Sequence, residues 1–282
     1  MYQIYDLAED TRRSAYQYDQ DPEYYFTQNG GEWHVYSCSL WEPGFTMTQA
    51  QEKKLDKMAE LMKLRPGMHI LDVGCGWGGP LVYLCRRYNV TGHGIAVAPN
   101  QIAAAKARAA RYGVNATFEL LHWQNLPESE RYDCIYSDEV ITHFPNLGEF
   151  FTKCWKLLKS GGSMAHKEVH LSHSGYAQLT PLNQRAIKVI AFTANYITLH
   201  QELKLLDHSA FRLESIYEIP MVHYQKTLDE WLKNIFDHRE HLKAITSPRW
   251  YEDQRAFIKA CRYIFTHTEN CRLDIVASRK MS

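Results

Sequence analysis

The chain of 282 residues carries equal numbers of basic and acidic side chains, 32 of each, so its formal net charge is zero. A neutral chain lacks the basic footprint of a nucleic-acid partner, and no apolar run approaches the length of a membrane-spanning helix. The seven cysteines are scattered without a C-x-x-C pair, which favours free thiols in a reducing compartment. We therefore predict a cytoplasmic protein with no nucleic-acid partner and no stable membrane insertion.

The segment ahead of the first strand predicts a helical cover. Residues 8–18 favour a short helix, and residues 19–33 favour an ordered segment without a strand period. Thr48 and Gln51 then form a capping-box pattern before apolar residues at helical spacing, which predicts that a helix begins there. We interpret residues 1–47 as a cover over the domain that follows.

A strand, a glycine-rich turn and a helix follow one another from residue 69. Residues 69–73 are short, apolar and bounded by Pro-Gly on one side, which predicts a buried strand. Glycines occupy positions 74, 76, 78 and 79, and apolar residues at helical spacing come next. This arrangement suits a nucleotide-like ligand, because glycines let the backbone approach closely and free N–H groups at the helix start face it.

Two interpretations compete for this turn. Gly74, Gly76 and Gly79 satisfy the dinucleotide pattern G-x-G-x-x-G, but that interpretation requires an acidic residue about 20 positions further on. The next predicted strand, residues 90–97, ends without a carboxylate. Asp72 instead precedes the first glycine by two residues and gives the run D-V-G-C-G-W-G. This run resembles the first motif of the S-adenosylmethionine-dependent methyltransferases.

Strands and helices alternate through the rest of the chain. We expect strands at 116–121, 134–137, 163–169, 211–220 and 270–278, and helices at 100–113, 147–158, 228–245 and 250–265. Such alternation is typical of an α/β fold with a doubly wound, mostly parallel, seven-stranded sheet of the Rossmann-like kind. Ligands of such sheets lie at the carboxyl ends of the strands.

No linker divides the chain, so we predict one domain. Its parts are the cover at 1–47, a cofactor-binding core at 48–170, an insertion at 171–206, and the remaining sheet and substrate side at 207–282. The insertion has no strand signal but carries apolar residues at helical spacing. We interpret it as a helical lid over the substrate, with an ordinary crossover connection as the alternative.

Four further stretches resemble the cyclopropane-fatty-acid and mycolic-acid cyclopropane synthase family. They are Y-S-C-S from residue 36, the helix start at 47–51, residues 94–101, and H-Y-Q-K-T-L-D-E-W from residue 223. The likeness extends from about residue 18 onward, in the same order and at similar separations. It implies S-adenosyl-L-methionine as the cofactor.

The resemblance also implies a set of cofactor-binding residues. They are Tyr36, Ser37, Asp72, Gly74, Cys75, Gly76, Gln101, Trp123, Gln124, Asp138 and His143. Tyr36 would close over the methionine end, and Gln101 resembles a ribose-binding glutamine. Trp123 and Gln124 would flank the adenine. Gln124 stands where the family tends to have a carboxylate, yet its amide oxygen can still accept from the adenine amino group.

The family's chemistry indicates catalytic candidates. Its nucleophile is an alkene carbon, and methylation leaves a carbocation that aromatic faces can stabilise. A base then removes a proton and leaves a cyclopropane, a methylene or a shifted alkene. In the cyclopropane synthases this base is bicarbonate, held by a glutamate, a histidine, a tyrosine and the Y-S-C cysteine. Cys38, His166 and Tyr224 fall at matching places.

One departure from the family pattern changes the predicted base. Thr142, within V-I-T-H-F, stands where the family has the glutamate that anchors bicarbonate, and a hydroxyl cannot serve as a base because its unperturbed pKa is far too high. Glu139 and Glu168 lie at the ends of the fourth and fifth predicted strands. Glu168 shares a strand face with His166. We therefore predict Glu168 or Glu139 as the base, in a reaction that does not need bicarbonate.

Three functions are compatible with the sequence. The first is C-methylation of an alkene in a hydrophobic small-molecule substrate, either a fatty acyl or a prenyl/terpenoid chain. The second is N- or O-methylation of a small natural product. The third, a cofactor-binding protein without activity, is opposed by the intact motifs. The histidine spacings around residue 170 are expected by chance among 14 histidines, so we predict no metal. The sequence leaves a homo-oligomer open.

Overall fold

A seven-stranded sheet organises the molecule. The computed structural model describes residues 8–9, 11–12, 18, 20–128, 132–172, 196–266 and 271–281. The strands are His69–Val73 (β1), Thr91–Ala96 (β2), Ala116–Leu120 (β3), Tyr132–Asp138 (β4), Leu158–Leu171 (β5), Phe211–Ile219 (β6) and Cys271–Lys280 (β7). Their order is β3-β2-β1-β4-β5-β7-β6, and only β7 is antiparallel to its neighbours. The predicted fold class is confirmed.

Helices cover both faces of this sheet. The helices are Pro22–Asn29 (α1), Met47–Met62 (α2), Gly79–Tyr88 (α3), Pro99–Tyr112 (α4), Leu147–Leu157 (α5), Leu199–His208 (α6), Val222–Asp237 (α7), Arg239–Ile245 (α8) and Pro248–Thr266 (α9). Ile70 packs into an apolar cluster with Leu55 and Leu81, while the next residue, Leu71, packs into a second cluster with Phe150. Successive strand residues point to opposite faces, so the two clusters lie on either side of the sheet.

The strand order reverses at β1, which lies between β2 and β4. Such a switch point opens a crevice at the carboxyl ends of the strands. Asp72 near the end of β1 pairs in register with Tyr136 of β4, two residues before Asp138. The topology therefore brings two of the predicted cofactor residues to one crevice.

The predicted start of α2 was wrong by two residues. The cap is Thr46, whose side chain accepts from the Gln49 N–H, while the Gln49 side chain accepts from the Thr46 N–H at 2.9 Å. The sequence offers two overlapping T-x-x-Q patterns, and the second one has another use. Thr48 accepts from the Glu32 N–H at 3.0 Å, and Gln51 donates to a cover carbonyl. These bonds attach the cover to α2.

Other boundaries also differ from the predictions. The helix predicted over 228–245 is two helices, α7 and α8, which meet at His238. The lid predicted over 171–206 lies largely outside the described residues, as does most of the helix predicted over 8–18. The described end of the lid segment contains α6, which packs on α5 and β6 and so contributes to the second layer of the fold. The four-part division of the chain stays a prediction.

All seven cysteines are buried thiols, as their scattered spacing predicts. Of the helices within the described ranges, none combines the length and the apolar character that crossing a membrane would take.

Candidate active site

The glycine turn after β1 forms the floor of the site. The N–H groups of Gly74 and Cys75 both donate to the Ile95 carbonyl, at 2.9 and 3.0 Å, which fixes the turn against β2. Gly74 and Gly76 have positive φ angles of 78° and 51°. A Cβ on Gly76 would come within 4 Å of one atom only, the Gln101 side-chain nitrogen at 3.9 Å. The turn therefore presents bare backbone to open space.

That space is a cavity that we call the turn cavity. The predicted cofactor residues that line it are Tyr36, Ser37, Asp72, Gly74, Cys75, Gly76, Gln101, Trp123, Asp138 and His143. Gln124 does not line it, because its side-chain nitrogen donates to Glu149 on α5 at 3.2 Å. Residues up to about 100 positions apart in sequence thus converge on one cavity.

The polar groups of the turn cavity fit a nucleoside-bearing cofactor. The Asp72 carboxyl is buried, and its Oδ2 has no hydrogen-bond partner in the described part of the chain. Burial raises the pKa of Asp72 well above its usual value, and nearby Asp138 adds to the rise. A ligand hydroxyl or amine could supply the missing partner. The buried amide of Gln101 lies across the open space above Gly76.

A buried cluster of charges adjoins the turn cavity. The Asp138 carboxylate, at the end of β4, accepts from the hydroxyls of Ser37 and Tyr136 at 2.8 and 2.9 Å. It also pairs with the ammonium groups of Lys54 and Lys167, both fully buried. Burial by itself would raise the pKa of Asp138, but the two lysines hold it below its usual value. The cluster is thus internally paired, as buried charges must be.

Glu139 brings together three of the predicted catalytic residues. Its φ of 56° lies in the left-handed region, which residues other than glycine seldom adopt. One carboxylate oxygen accepts from the Cys38 backbone N–H at 3.0 Å and from Lys167, and the other accepts from the Tyr224 hydroxyl. The Cys38 thiol is neutral near pH 7, because burial raises its pKa to about 12.

The structure does not bring His166 to this cluster. Its Nε2 bonds to Glu202 of α6 at 2.8 Å, on the opposite face of β5 from Lys167. Glu202 also bonds His170, and His170 bonds Asp274 of β7, so His166 belongs to a buried scaffold network. Lys167, the next residue along β5, is the side chain that contacts Glu139.

No motif marks Lys167 or Lys54, the two lysines of the buried charge cluster. Lysine is seldom fully buried unless it is paired. The available signal for Lys167 was its place next to a candidate base, Glu168, near the end of a predicted strand. For Lys54 it was a lysine among the apolar positions of α2.

A second cavity adjoins the first, and we call it the aromatic cavity. Its aromatic lining residues are Tyr18, Tyr36, Tyr196, Tyr224, Trp231, Phe257 and Phe265. Its carboxyl and imidazole groups belong to Glu139, Glu168 and His143, and the described residues of its wall include no lysine or arginine. Tyr36 stacks on Trp231 with ring centroids 5.1 Å apart.

Four residues line both cavities, and we call this shared wall the junction: Tyr18, Tyr36, Glu139 and His143. Glu168 lines the aromatic cavity alone. Its carboxyl oxygens accept from the backbone N–H groups of Thr142 and Val169 at 3.4 and 3.2 Å. Burial, reinforced by the charge of Glu139, raises the pKa of Glu168 to about 8. The two carboxyl groups beside the aromatic cavity therefore have different environments.

Metal ligands do not cluster at the site. Within the described ranges, no three His, Cys, Asp or Glu side chains are arranged to hold a metal ion. His173, one of the histidines in the spacing pattern, lies outside those ranges.

The doubly wound sheet, the glycine turn after β1 and the cavity at the switch point define the fold of the class I S-adenosylmethionine-dependent methyltransferases. The chain belongs to the family described as mycolic acid cyclopropane synthetase, whose model matches residues 5–274. The suspected family and the S-adenosyl-L-methionine cofactor are thereby confirmed.

Individual relatives agree with this assignment. The "Probable fatty acid methyltransferase" of Pseudomonas putida is 27% identical over 93% of this chain and 67% of its own. Methoxy mycolic acid synthase MmaA3 of Mycobacterium tuberculosis is 28% identical over 82% and 83% of the two chains. The crystal structure of mycolic acid cyclopropane synthase CmaA1, complexed with SAH and CTAB, superposes with a TM-score of 0.88 at 22% identity over 96% and 98% of the two chains.

Proposed function

We propose that this enzyme methylates an alkene carbon of a hydrophobic substrate and then removes a proton from the resulting carbocation. The observation that carries the proposal is the junction, where a hydrogen-bonded carboxylate and aromatic rings stand between the turn cavity and the aromatic cavity. When bound, S-adenosylmethionine supplies an electrophilic methyl group. Gln101, Asp72 and the bare backbone of Gly76 would hold it in the turn cavity.

The residues that line the aromatic cavity would then position the substrate and stabilise its reaction. The rings of the aromatic cavity exclude water and can stabilise a developing positive charge through their faces. An alkene needs no deprotonation before it reacts, so positioning is the main requirement of the first step. The second step needs a base, and Glu139 or Glu168 lies within the wall of the same cavity.

The charge of the aromatic cavity bears on the substrate class. With carboxyl groups in its wall and no lysine or arginine among its described lining, this cavity suits the uncharged part of a substrate. A phosphate or carboxylate head group would be placed elsewhere. A fatty acyl chain is supported by the name of the Pseudomonas putida relative, and a prenyl or terpenoid chain by the aromatic character of the wall.

An experiment with labelled cofactor tests the proposal. Purified enzyme would be given methyl-labelled S-adenosylmethionine with an unsaturated phospholipid, an unsaturated acyl thioester, a prenyl diphosphate or an aromatic amine. We expect label in one of the alkene substrates, a net gain of one CH₂ unit, and turnover that is the same with and without added bicarbonate. Label on nitrogen or oxygen, or a cyclopropane formed only with bicarbonate, would contradict the proposal.

N-methylation of a small amine is the second candidate. Aromatic faces together with carboxylates also recognise ammonium groups, and both line the aromatic cavity. A solved coclaurine N-methyltransferase has a similar fold, with a TM-score of 0.82 at 17% identity over 99% of this chain. The amine arm of the experiment distinguishes the two candidates. A cytoplasmic location and a homo-oligomer stay predictions.

A further inference from the structure

Lys167 occupies an unusual position for a lysine. Its side chain is fully buried on β5, where it pairs with Glu139 and with Asp138 at 3.1 Å and donates to the Cys38 carbonyl at 3.2 Å. All of these partners are oxygen acceptors, and two of them are carboxylates. Because an ammonium deep in a protein is costly without opposite charges, this contact set fixes both the charge and the place of Lys167.

Glu139 is held from three directions. Lys167 and the Cys38 N–H bind one carboxylate oxygen, and the Tyr224 hydroxyl binds the other. The donors come from β5, from the N-terminal cover and from α7. The backbone of Glu139 is in the left-handed region, which a residue other than glycine keeps only where the surrounding structure holds it there.

We infer that Lys167 is a positioning residue that holds the Glu139 carboxylate at the junction, where Glu139 is the base of the second step. This inference rests on the proposed function. It assigns the base to one of the two predicted carboxylates and adds a residue that the sequence motifs do not mark.

The surroundings of the two carboxylates favour Glu139. Glu139 lines both cavities and has an ammonium against it, while Glu168 lines only the aromatic cavity and has two long backbone bonds. Near neutral pH the Glu168 carboxyl stays protonated because burial raises its pKa to about 8. Two carboxyls with such different environments are suited to different roles.

The proposed step balances as a simple proton transfer. For an alkene product, a C–H bond on a carbon next to the cationic carbon breaks, and its electron pair forms the C=C bond. For a cyclopropane, a C–H bond of the transferred methyl group breaks, and its electron pair joins the methyl carbon to the cationic carbon. The proton goes to a Glu139 oxygen, which becomes a neutral carboxylic acid and later releases the proton to solvent. A hydrogen-bonded carboxylate is basic enough, because the adjacent positive charge makes this C–H bond strongly acidic.

The kinetics of Lys167→Met test the inference. Methionine matches the length of the lysine stem but removes its charge. We expect kcat to fall by up to about 10²-fold, the cost of a misplacement of about 1 Å, while the KM for the substrate stays nearly unchanged, because Glu139 loses the ammonium that holds it in place. Lys167→Arg keeps the charge and should restore most of the lost kcat. Lys159→Met is the control, since Lys159 pairs with Asp133 away from both cavities, and it should leave kcat unchanged.

A double variant separates positioning from folding. Glu139→Gln should lower kcat by about 10²–10⁴-fold, the range of general base catalysis. If Lys167 acts only through Glu139, the variant that carries both Lys167→Met and Glu139→Gln has the same kcat as Glu139→Gln alone. This variant also folds without an unpaired buried charge, should Lys167→Met alone fail to fold.

Two results would overturn the inference. One is a Lys167→Met variant whose kcat equals that of the wild type, and the other is a double variant in which the two losses add. Calorimetry with S-adenosylhomocysteine serves as an independent readout, because cofactor affinity should stay nearly unchanged in Glu139→Gln. The identity of the wild-type product tests the proposed function separately, so alkene methylation can be established while the role of Lys167 is refuted.

Discussion

The turn cavity and the junction are adjacent, yet they are encoded differently. The floor of the turn cavity comes from one short run, Asp72 to Gly76, in which strand, turn and helix start follow directly. The junction is held by contacts between distant parts of the chain: Glu139 lies 101 positions from Cys38 and 85 from Tyr224. A sequence motif is enough to predict a cavity that is formed by one loop. A site that forms where the N-terminal cover and α7 pack against the sheet can be located only from the tertiary structure.

Removing the open space at Gly76 should have the largest effect. Gly76→Val places a side chain in the turn cavity, where the structure leaves space for the cofactor. We expect the Kd for S-adenosylhomocysteine to rise by more than about 100-fold, roughly 2.7 kcal/mol, measured by calorimetry. Gly113→Val is the matched control, since Gly113 also has a positive φ and open space but ends α4 away from both cavities.

The control separates strain from lost space. Both valine variants strain a left-handed backbone and should lose stability. If Gly113→Val also lost cofactor binding, or if Gly76→Val kept it, the open space above Gly76 would not belong to the cofactor.

The largest effect on folding stability, as distinct from cofactor binding, should come from the scaffold network behind the junction. His170 bonds Glu202 and Asp274 and is fully buried. Burial by itself would lower the pKa of His170, but the two carboxylates raise it to about 10. Breaking such a buried pair by His170→Gln should cost about 3–5 kcal/mol of unfolding free energy.

The pH dependence of that loss has a definite sign. The pKa of His170 is higher in the folded chain than its ordinary value of 6.5, so its stabilising contribution is complete below about pH 6.5 and declines as the pH rises toward 10. Urea unfolding should therefore show the largest difference between wild type and His170→Gln at acidic pH. His208→Gln, at an exposed histidine on α6, is the control. A difference that grows with pH would contradict the assignment of a charged His170.

The face of β5 explains why one part of the site was predictable and another was not. Glu168 was found because it ends a predicted strand. The family pattern points to His166, whereas Lys167 is the residue that contacts Glu139, and a shift of one residue along a strand exchanges the two faces. The places of Asp72, Gly76 and Gln101 could be predicted without assigning residues to a strand face. The glycine run determines the turn, and α4 begins next to that turn. Strand position thus predicts proximity to a site, but not which of two neighbouring side chains enters it.

Glu168→Gln provides a sharper comparison between the two carboxyls. Loss of a general base lowers kcat by about 10²-fold or more. If Glu139 is the base, the kcat of Glu168→Gln at pH 7 should fall by much less than that. Because the pKa of Glu168 is raised from 4.5 to about 8, the wild type should lose stability as the pH rises across that window. Glu168→Gln should lack this loss, which urea unfolding at a series of pH values would measure.

A surface carboxylate serves as the control for this pair. Glu119→Gln, at an exposed residue of β3, should show the wild-type dependence of stability on pH. A collapse of turnover in Glu168→Gln, with near-normal turnover in Glu139→Gln, would move the base to the fifth strand and contradict the role inferred for Lys167.

The smallest expected effect concerns the two glutamines assigned to the cofactor. Gln101 is buried in the wall of the turn cavity, while Gln124 is half-buried outside it and donates to Glu149 at 3.2 Å. Gln101→Ala should weaken S-adenosylhomocysteine binding by about 2- to 13-fold, the equivalent of one lost hydrogen bond of 0.5–1.5 kcal/mol. Gln124→Ala should change the Kd by less than about twofold, because the bond it removes lies on the surface.

This pair of variants tests whether the motif or the structure locates the adenine end correctly. Both glutamines follow from the same family resemblance, so the resemblance by itself predicts similar losses for the two alanine variants. The structure predicts unequal losses, because only one amide faces the cavity. A loss in Gln124→Ala as large as that in Gln101→Ala would mean that Gln124 leaves Glu149 and turns toward the cofactor on binding. Glu149→Ala frees the Gln124 amide, and in that case it should tighten cofactor binding.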